Sequence, residues 1–104
     1  FIEICNYISA HCSDELNLEA VASMSGFSKF YFSRLFKQFT NVSFYKYVNQ
    51  KRIEKAAKML TKPNISITNV ALSCGFESLS SFIRMFKIVK GCTPTEFRNM
   101  YQYC

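Results

Sequence analysis

Arg34 and Arg84 stand 50 residues apart, and each opens the same short phrase: Arg34-Leu35-Phe36-Lys37 and Arg84-Met85-Phe86-Lys87. A guanidinium is a planar fork of donors that can bond bidentately to guanine O6 and N7 in a major groove. An ammonium three residues further along a helix suits a phosphate oxygen. Around the first pair, Phe30, Ser33, Arg34 and Lys37 fall at i, i+3, i+4 and i+7, and Ser80, Ile83, Arg84 and Lys87 repeat that spacing. An outward Phe or Ile can touch a thymine methyl. Ser28 and Ser78, near the helix starts, can join backbone N–H groups in holding phosphate oxygens, and Lys29 adds a charge there. Seen once, such a stripe reads equally well as a solvated face with surface ion pairs. Its recurrence at matched positions favours recognition of DNA.

Other chemistries find little support. The five cysteines, Cys5, Cys12, Cys74, Cys92 and Cys104, are an odd number and contain no Cys-x-x-Cys pair. They are expected to be thiols in a reducing cytoplasm, not a disulfide framework or a zinc knuckle. His11, the sole histidine, is expected on a helix surface. No catalytic residue, metal site or cofactor is expected. No apolar run approaches the ~18 residues of a membrane span, and no signal-peptide pattern is present. The chain opens on Phe1 and is expected to be a fragment of something longer.

Charge is unevenly placed. The net charge is +6, yet residues 1–28 hold four acids and no Lys or Arg. Residues 29–104 hold all 13 Lys and Arg against Glu54, Glu77 and Glu96. A polarised basic surface points to a polyanion partner.

The elements that would carry the stripes form a repeat. Val21-Ala22 and Gly26-Phe27 match Val70-Ala71 and Gly75-Phe76 at an offset of 49. Phe32, Arg34, Phe36 and Lys37 match Phe82, Arg84, Phe86 and Lys87 at an offset of 50, as do Asn41 with Gly91 and Tyr47 with Phe97. The extra residue falls between Phe76 and Phe82, in a turn or at a helix start. Each copy reads as helix, glycine turn, helix, the pattern of a helix-turn-helix unit. Asn17 and Ser66 cap first helices at about 17–25 and 66–74, and Gly26 and Gly75 end them. Ser28 and Ser78 cap second helices at about 28–40 and 78–90, which end at Asn41 and Gly91. Within these, Phe32, Leu35, Phe36 and Phe39, and Phe82, Met85, Phe86 and Val89, are expected to face the core. Further helices are expected at 1–12, at 43–62 and at 93–103, where Thr93-Pro94-Thr95-Glu96 makes a capping box.

The fold class is therefore all-α, with seven helices in two helix-turn-helix subdomains, residues 1–42 and 63–104, joined by a linker helix at 43–62. A rigid helix of that length spans ~27–30 Å at 1.5 Å per residue. Major grooves recur on one face of B-DNA every ~34 Å. Two recognition helices in successive grooves would explain the duplication.

These residues resemble the DNA-binding domain of the AraC/XylS family of bacterial transcription regulators, over essentially the whole chain. The most specific segment is Gly75 to Arg98, with its Gly-Phe, its Phe-x-Arg-x-Phe-Lys core, its Gly, its Thr-Pro and its aromatic-Arg. Residues 26–48 match the first unit and residues 51–60 the linker helix. The resemblance implies base-reading contributions from Phe30, Ser33 and Arg34, and from Ser80, Ser81, Ile83 and Arg84. It implies a cytoplasmic bacterial activator of promoter DNA, with RNA polymerase as a further partner. It also implies fusion, in the full-length protein, to a sensing or dimerisation domain that this sequence does not contain. Asn41 departs from the family's usual Gly, and Ile83 from the polar residue of some relatives. The competing reading is a helical interaction module whose basic face meets an acidic partner such as the transcription machinery. Some relatives carry a DNA-alkyl-repair domain with a reactive cysteine, but the cysteines here lack the neighbouring groups that would make such a thiolate.

Overall fold

The computed structural model describes residues 1–102. Among them are seven helices and no strand: α1 Ile2–His11, α2 Leu18–Met24, α3 Lys29–Thr40, α4 Phe44–Leu60, α5 Ile67–Ser73, α6 Leu79–Lys90 and α7 Pro94–Gln102. Residue 103, the expected end of the last helix, and Cys104 lie outside the described residues. The chain divides into two compact units within α4, between Lys51 and Arg52. The first half of α4 thus builds one core and its second half the other.

In the first unit Ile8, Val21, Ala22, Phe32, Phe36, Phe44 and Val48 form the buried core. In the second, Ile53, Ala56, Ala57, Leu60, Val70, Ala71, Cys74, Phe76, Phe82 and Phe86 do so. The duplication extends to ring geometry. Phe36 meets Tyr47 edge-on with centroids 5.3 Å apart, and Phe86 meets Phe97 edge-on at 5.4 Å. Phe32–Phe36 and Phe82–Phe86 are both 5.7 Å pairs. Buried aromatic pairs of this kind add ~0.5–1.5 kcal/mol beyond the area they bury.

Local chemistry fixes the helix ends. The Asn17 side chain accepts from the N–H groups of Glu19 and Ala20, and the Ser66 hydroxyl accepts from Asn69. The turns that follow α2 and α5 share one hydrogen-bond pattern. Phe27 N–H donates to the Ala22 carbonyl and Gly26 N–H to Ser23; Phe76 N–H donates to Ala71 and Gly75 N–H to Leu72. These are paired 6→1 and 5→2 bonds of a Schellman ending, with Gly26 at φ 75° and Gly75 at φ 91°. Ser28 follows Phe27 directly as the cap of α3, whereas Glu77 intervenes before Ser78 caps α6. Glu77 is thus the inserted residue, placed where no helical register is disturbed.

The core stripes differ from expectation at one end. Phe32 and Phe36 are fully buried and Leu35 half-buried, but Phe39 is 53% exposed. Phe39 lies in the last turn of α3, beyond the reach of the core, and covers the Phe1 ring at 5.5 Å instead. Phe82 and Phe86 are buried, with Met85 and Val89 half-buried against them.

The linker helix is shorter than expected at both ends. Ser43 stays outside α4, its hydroxyl accepting from the Lys46 N–H. At the other end Arg98 of α7 takes over the carbonyls that the helix leaves open. Its Nε donates to the Leu60 carbonyl and its Nη2 to the Lys62 carbonyl, both at 3.1 Å. The capping box forms as the sequence predicts: Thr93 N–H donates to Glu96 Oε1 at 2.9 Å and Glu96 N–H to Thr93 Oγ1 at 3.1 Å.

Candidate nucleic-acid interface

Neither α3 nor α6 contains an acidic residue. The first carries Lys29, Arg34 and Lys37, and the second Arg84, Lys87 and Lys90. Their buried faces are pinned by Phe32 and Phe36 and by Phe82 and Phe86. Residues two positions away are turned ~200° from those faces at 100° per residue. Phe30, Arg34 and Lys37 are accordingly exposed on α3, as are Ser80, Ile83, Arg84 and Lys87 on α6. Phe30 is the extreme case, an aromatic ring left 75% exposed. Ser33 and Ser81 are half-buried at the edges of these faces.

Each exposed face is anchored by its caps. Ser28 Oγ accepts from Tyr31 N–H at 3.3 Å, and Ser78 Oγ accepts from Ser81 N–H at 3.1 Å. The Ser78 hydroxyl also donates to Ser81 Oγ at 3.0 Å. Both serines therefore spend side-chain hydrogen-bonding capacity on the helix start. At the far ends Asn41 and Gly91 adopt φ 66° and 77°, and each donates its N–H to the carbonyl of the lysine four residues earlier, Lys37 or Lys87, at 2.8 Å.

Four side-chain relationships escape a reading by helical stripes. Lys29 Nζ reaches Glu19 Oε1 on α2 at 3.0 Å, and lies 5.3 Å from the Phe30 ring centre. Its charge is thereby shared with a carboxylate at the edge of the exposed face. The Arg34 guanidinium lies 5.9 Å from the centre of the Tyr31 ring. Tyr31 in turn meets Phe27 edge-on at 5.2 Å. Glu19 and Lys29 are ten residues apart on different helices, so no local pattern announces their pairing. Tyr31 lies between the core stripe and the outward stripe of α3 and belongs to neither.

Groups with shifted proton affinity lie elsewhere. Burial pushes the Tyr47 phenol on α4 upward, and the Thr93 N–H holds the Glu96 carboxyl on α7 below the usual carboxylate range. Among the described residues, no three His, Cys, Asp or Glu side chains gather to hold a metal, and no helix is long and apolar enough to cross a membrane. What the exposed faces of α3 and α6 offer is a fork of guanidinium donors, an ammonium one turn on, apolar contacts and small hydroxyls. Groups of these kinds are the ones that proteins in general use on a duplex, guanidinium forks on base edges and ammonium groups on phosphates.

A family model described as a helix-turn-helix domain matches residues 21–100. Over 92 residues the chain is 39% identical to the regulatory protein PocR of Salmonella typhimurium, covering 88% of this chain and 30% of PocR. The chain thus spans less than a third of that relative's length. A solved transcriptional regulator from Chromobacterium violaceum, of the proteins containing AraC-type DNA-binding domains, superposes with a TM-score of 0.89. It is 28% identical, over 96% of this chain and 89% of that one. The DNA-binding domain of the global transcriptional factor AdpA, solved in complex with a target DNA, superposes with a TM-score of 0.91 over 98% and 92% of the two chains. At 24% identity that likeness concerns the fold.

Proposed function

The chain belongs to the AraC-type helix-turn-helix family of transcription regulators, and from that premise we propose that it binds promoter DNA through α3 and α6. Each helix enters a major groove, and the two grooves are successive ones. Arg34 and Arg84 read base edges, helped by Phe30 and Ser33 on α3 and by Ser80, Ser81 and Ile83 on α6. Lys37 and Lys87 hold phosphates one turn further on, with Lys29 and the helix starts at Ser28 and Ser78 as additional phosphate contacts. The observation that carries this reading is the matched exposure of Arg34 with Lys37 and of Arg84 with Lys87, on two acid-free helices with the same end chemistry. The DNA-bound state of a domain with the same fold supports it. We extend the reading to activation of transcription in a bacterial cytoplasm, with RNA polymerase as a second partner and a sensing or dimerisation domain elsewhere in the full-length protein.

The test is a selection from random duplex oligonucleotides with the purified chain. The expected result is a two-part motif whose halves are centred ~10–10.5 bp apart, one helical turn. Retention of all sequences alike would instead mark a basic surface for some other acidic partner.

A further inference from the structure

We propose that Tyr31 is a positioning residue that sets the direction of the Arg34 guanidinium, so that the first unit reads its base pair more stringently than the second. The inference rests on the assignment of Arg34 to base reading. Tyr31 lies one turn before Arg34 on α3, and the guanidinium carbon lies 5.9 Å from its ring centre, within the range of a cation–π attraction. The ring is itself held. Phe27 packs partly buried against the first core and meets Tyr31 edge-on, with centroids 5.2 Å apart at 78°. Phe27 is fixed in turn by its N–H bond to the Ala22 carbonyl at 3.1 Å. A chain of contacts therefore runs from the end of α2 to the tip of Arg34.

The second unit is built differently here. The position matching Tyr31 is Ser81, whose N–H and hydroxyl are both engaged by Ser78. A serine at that position offers Arg84 no ring face. A long side chain that is already oriented loses less rotamer freedom when it binds, and it tolerates a displaced acceptor less well. Tyr31 thus acts on discrimination between bases more than on affinity for DNA as such.

The experiment compares Tyr31→Phe and Tyr31→Leu, each alone and combined with Arg34→Ala, by fluorescence anisotropy. The probes are the selected duplex and duplexes altered at each base pair under α3; circular dichroism establishes that every variant is folded. Tyr31→Leu is expected to lower discrimination at the Arg34 base pair about two- to fivefold, the worth of an exposed cation–π contact. Tyr31→Phe, which keeps the ring face, should retain it. In the Arg34→Ala background, Tyr31→Leu should change discrimination no further. The proposal is overturned if Tyr31→Phe loses as much as Tyr31→Leu, since the hydroxyl would then be the active group. It is also overturned if Tyr31→Leu weakens all sequences equally. If Arg34→Ala alone leaves discrimination intact, base reading by Arg34 fails, and the role of Tyr31 falls with it.

Discussion

The backbone N–H of Asn41 donates to the Lys37 carbonyl at 2.8 Å while Asn41 itself holds φ at 66°. Gly91 makes the same bond to Lys87 at the same length, with φ 77°. One position of the repeat thus carries a left-handed backbone with a side chain and the other without one. Asn is the side chain that best tolerates this conformation, because its amide can bond locally.

Asn41→Gly should therefore preserve the end of α3 and raise the unfolding midpoint slightly, whereas Asn41→Ala should lower it. A left-handed residue with a Cβ costs ~1–2 kcal/mol, so Gly91→Ala should destabilise by about that amount, although a Cβ at Gly91 meets nothing within 4 Å. Thermal denaturation followed by circular dichroism measures all three. A stable Gly91→Ala variant would show that this turn relaxes instead of holding its conformation.

Arg34→Ala and Arg84→Ala should each weaken specific binding and relax the preference at one base pair. Both side chains stand on the exposed faces of their helices. A bidentate Arg–guanine contact contributes ~1–3 kcal/mol of discrimination. Anisotropy titrations on matched and singly altered duplexes separate the two sites. Equal weakening across all sequences would move both arginines from bases to phosphates.

Lys37→Ala and Lys87→Ala should weaken all sequences alike and flatten the salt dependence, by a log–log slope of about 0.9 for each phosphate no longer neutralised. Lys29→Ala should do less, because Glu19 already holds Lys29 at 3.0 Å in the absence of DNA. Titration over a range of potassium chloride concentrations reads the slopes directly. Slopes unchanged for both Lys37 and Lys87 would place these lysines off the duplex.

Most of the fold is legible in the sequence because the signals are local. Asn17, Ser28, Ser66 and Ser78 cap the helices that their positions predict, and the reciprocal Thr93–Glu96 box closes within four residues. Helical periodicity also places Phe30, Arg34, Lys37, Arg84 and Lys87 on exposed faces, where they stand. Phe39 escapes it, since a stripe counts turns but does not say where the core ends. Arg98, whose acceptors lie 36 and 38 residues away at Lys62 and Leu60, cannot be read from any local pattern. The same holds for the Lys29–Glu19 pair, which needs α2 and α3 folded against each other. The unevenness of charge along the chain points to the class of partner, whereas the edge-on contact of Phe27 with Tyr31, beside Arg34, forms only once the turn before α3 is folded.

The capping box makes stability depend on acid. The Thr93 N–H, and then the Thr93 hydroxyl, hold the Glu96 carboxyl below its ordinary proton affinity. A depressed folded value means that the contribution is complete above the unfolded glutamate value of about 4.3. It is lost as pH falls from there through the lower folded value. Glu96→Gln should accordingly flatten the decline of the unfolding midpoint below about pH 4.3. The carboxylate is solvent-exposed, so the effect is small. Parallel melting curves for the wild type and Glu96→Gln at several acidic pH values test it; identical slopes would remove Glu96 from the acid response.

The mechanism with two successive grooves is tested most directly in α4. This helix runs unbroken from Phe44 to Leu60 through the division between the two units at Lys51 and Arg52. If that continuity sets the spacing of the two DNA contacts, a kink at the division should uncouple them while leaving each recognition helix chemically intact. Gln50→Pro removes one helical hydrogen bond and drives the proline ring against the preceding turn, at ~3 kcal/mol or more. Gln50→Ala removes the same side chain without bending the backbone and serves as the control. Lys55 is a poorer site, because its ammonium reaches the Ser73 carbonyl at 3.4 Å and its removal would disturb the end of α5. After circular dichroism confirms that the Pro variant is folded, hydroxyl-radical footprinting on the selected duplex should show one half-site protected and the other open. Gln50→Ala should protect both. A folded Gln50→Pro chain that still protects both half-sites at wild-type spacing would show that the units find their grooves independently, with α4 as a tether and not a spacer.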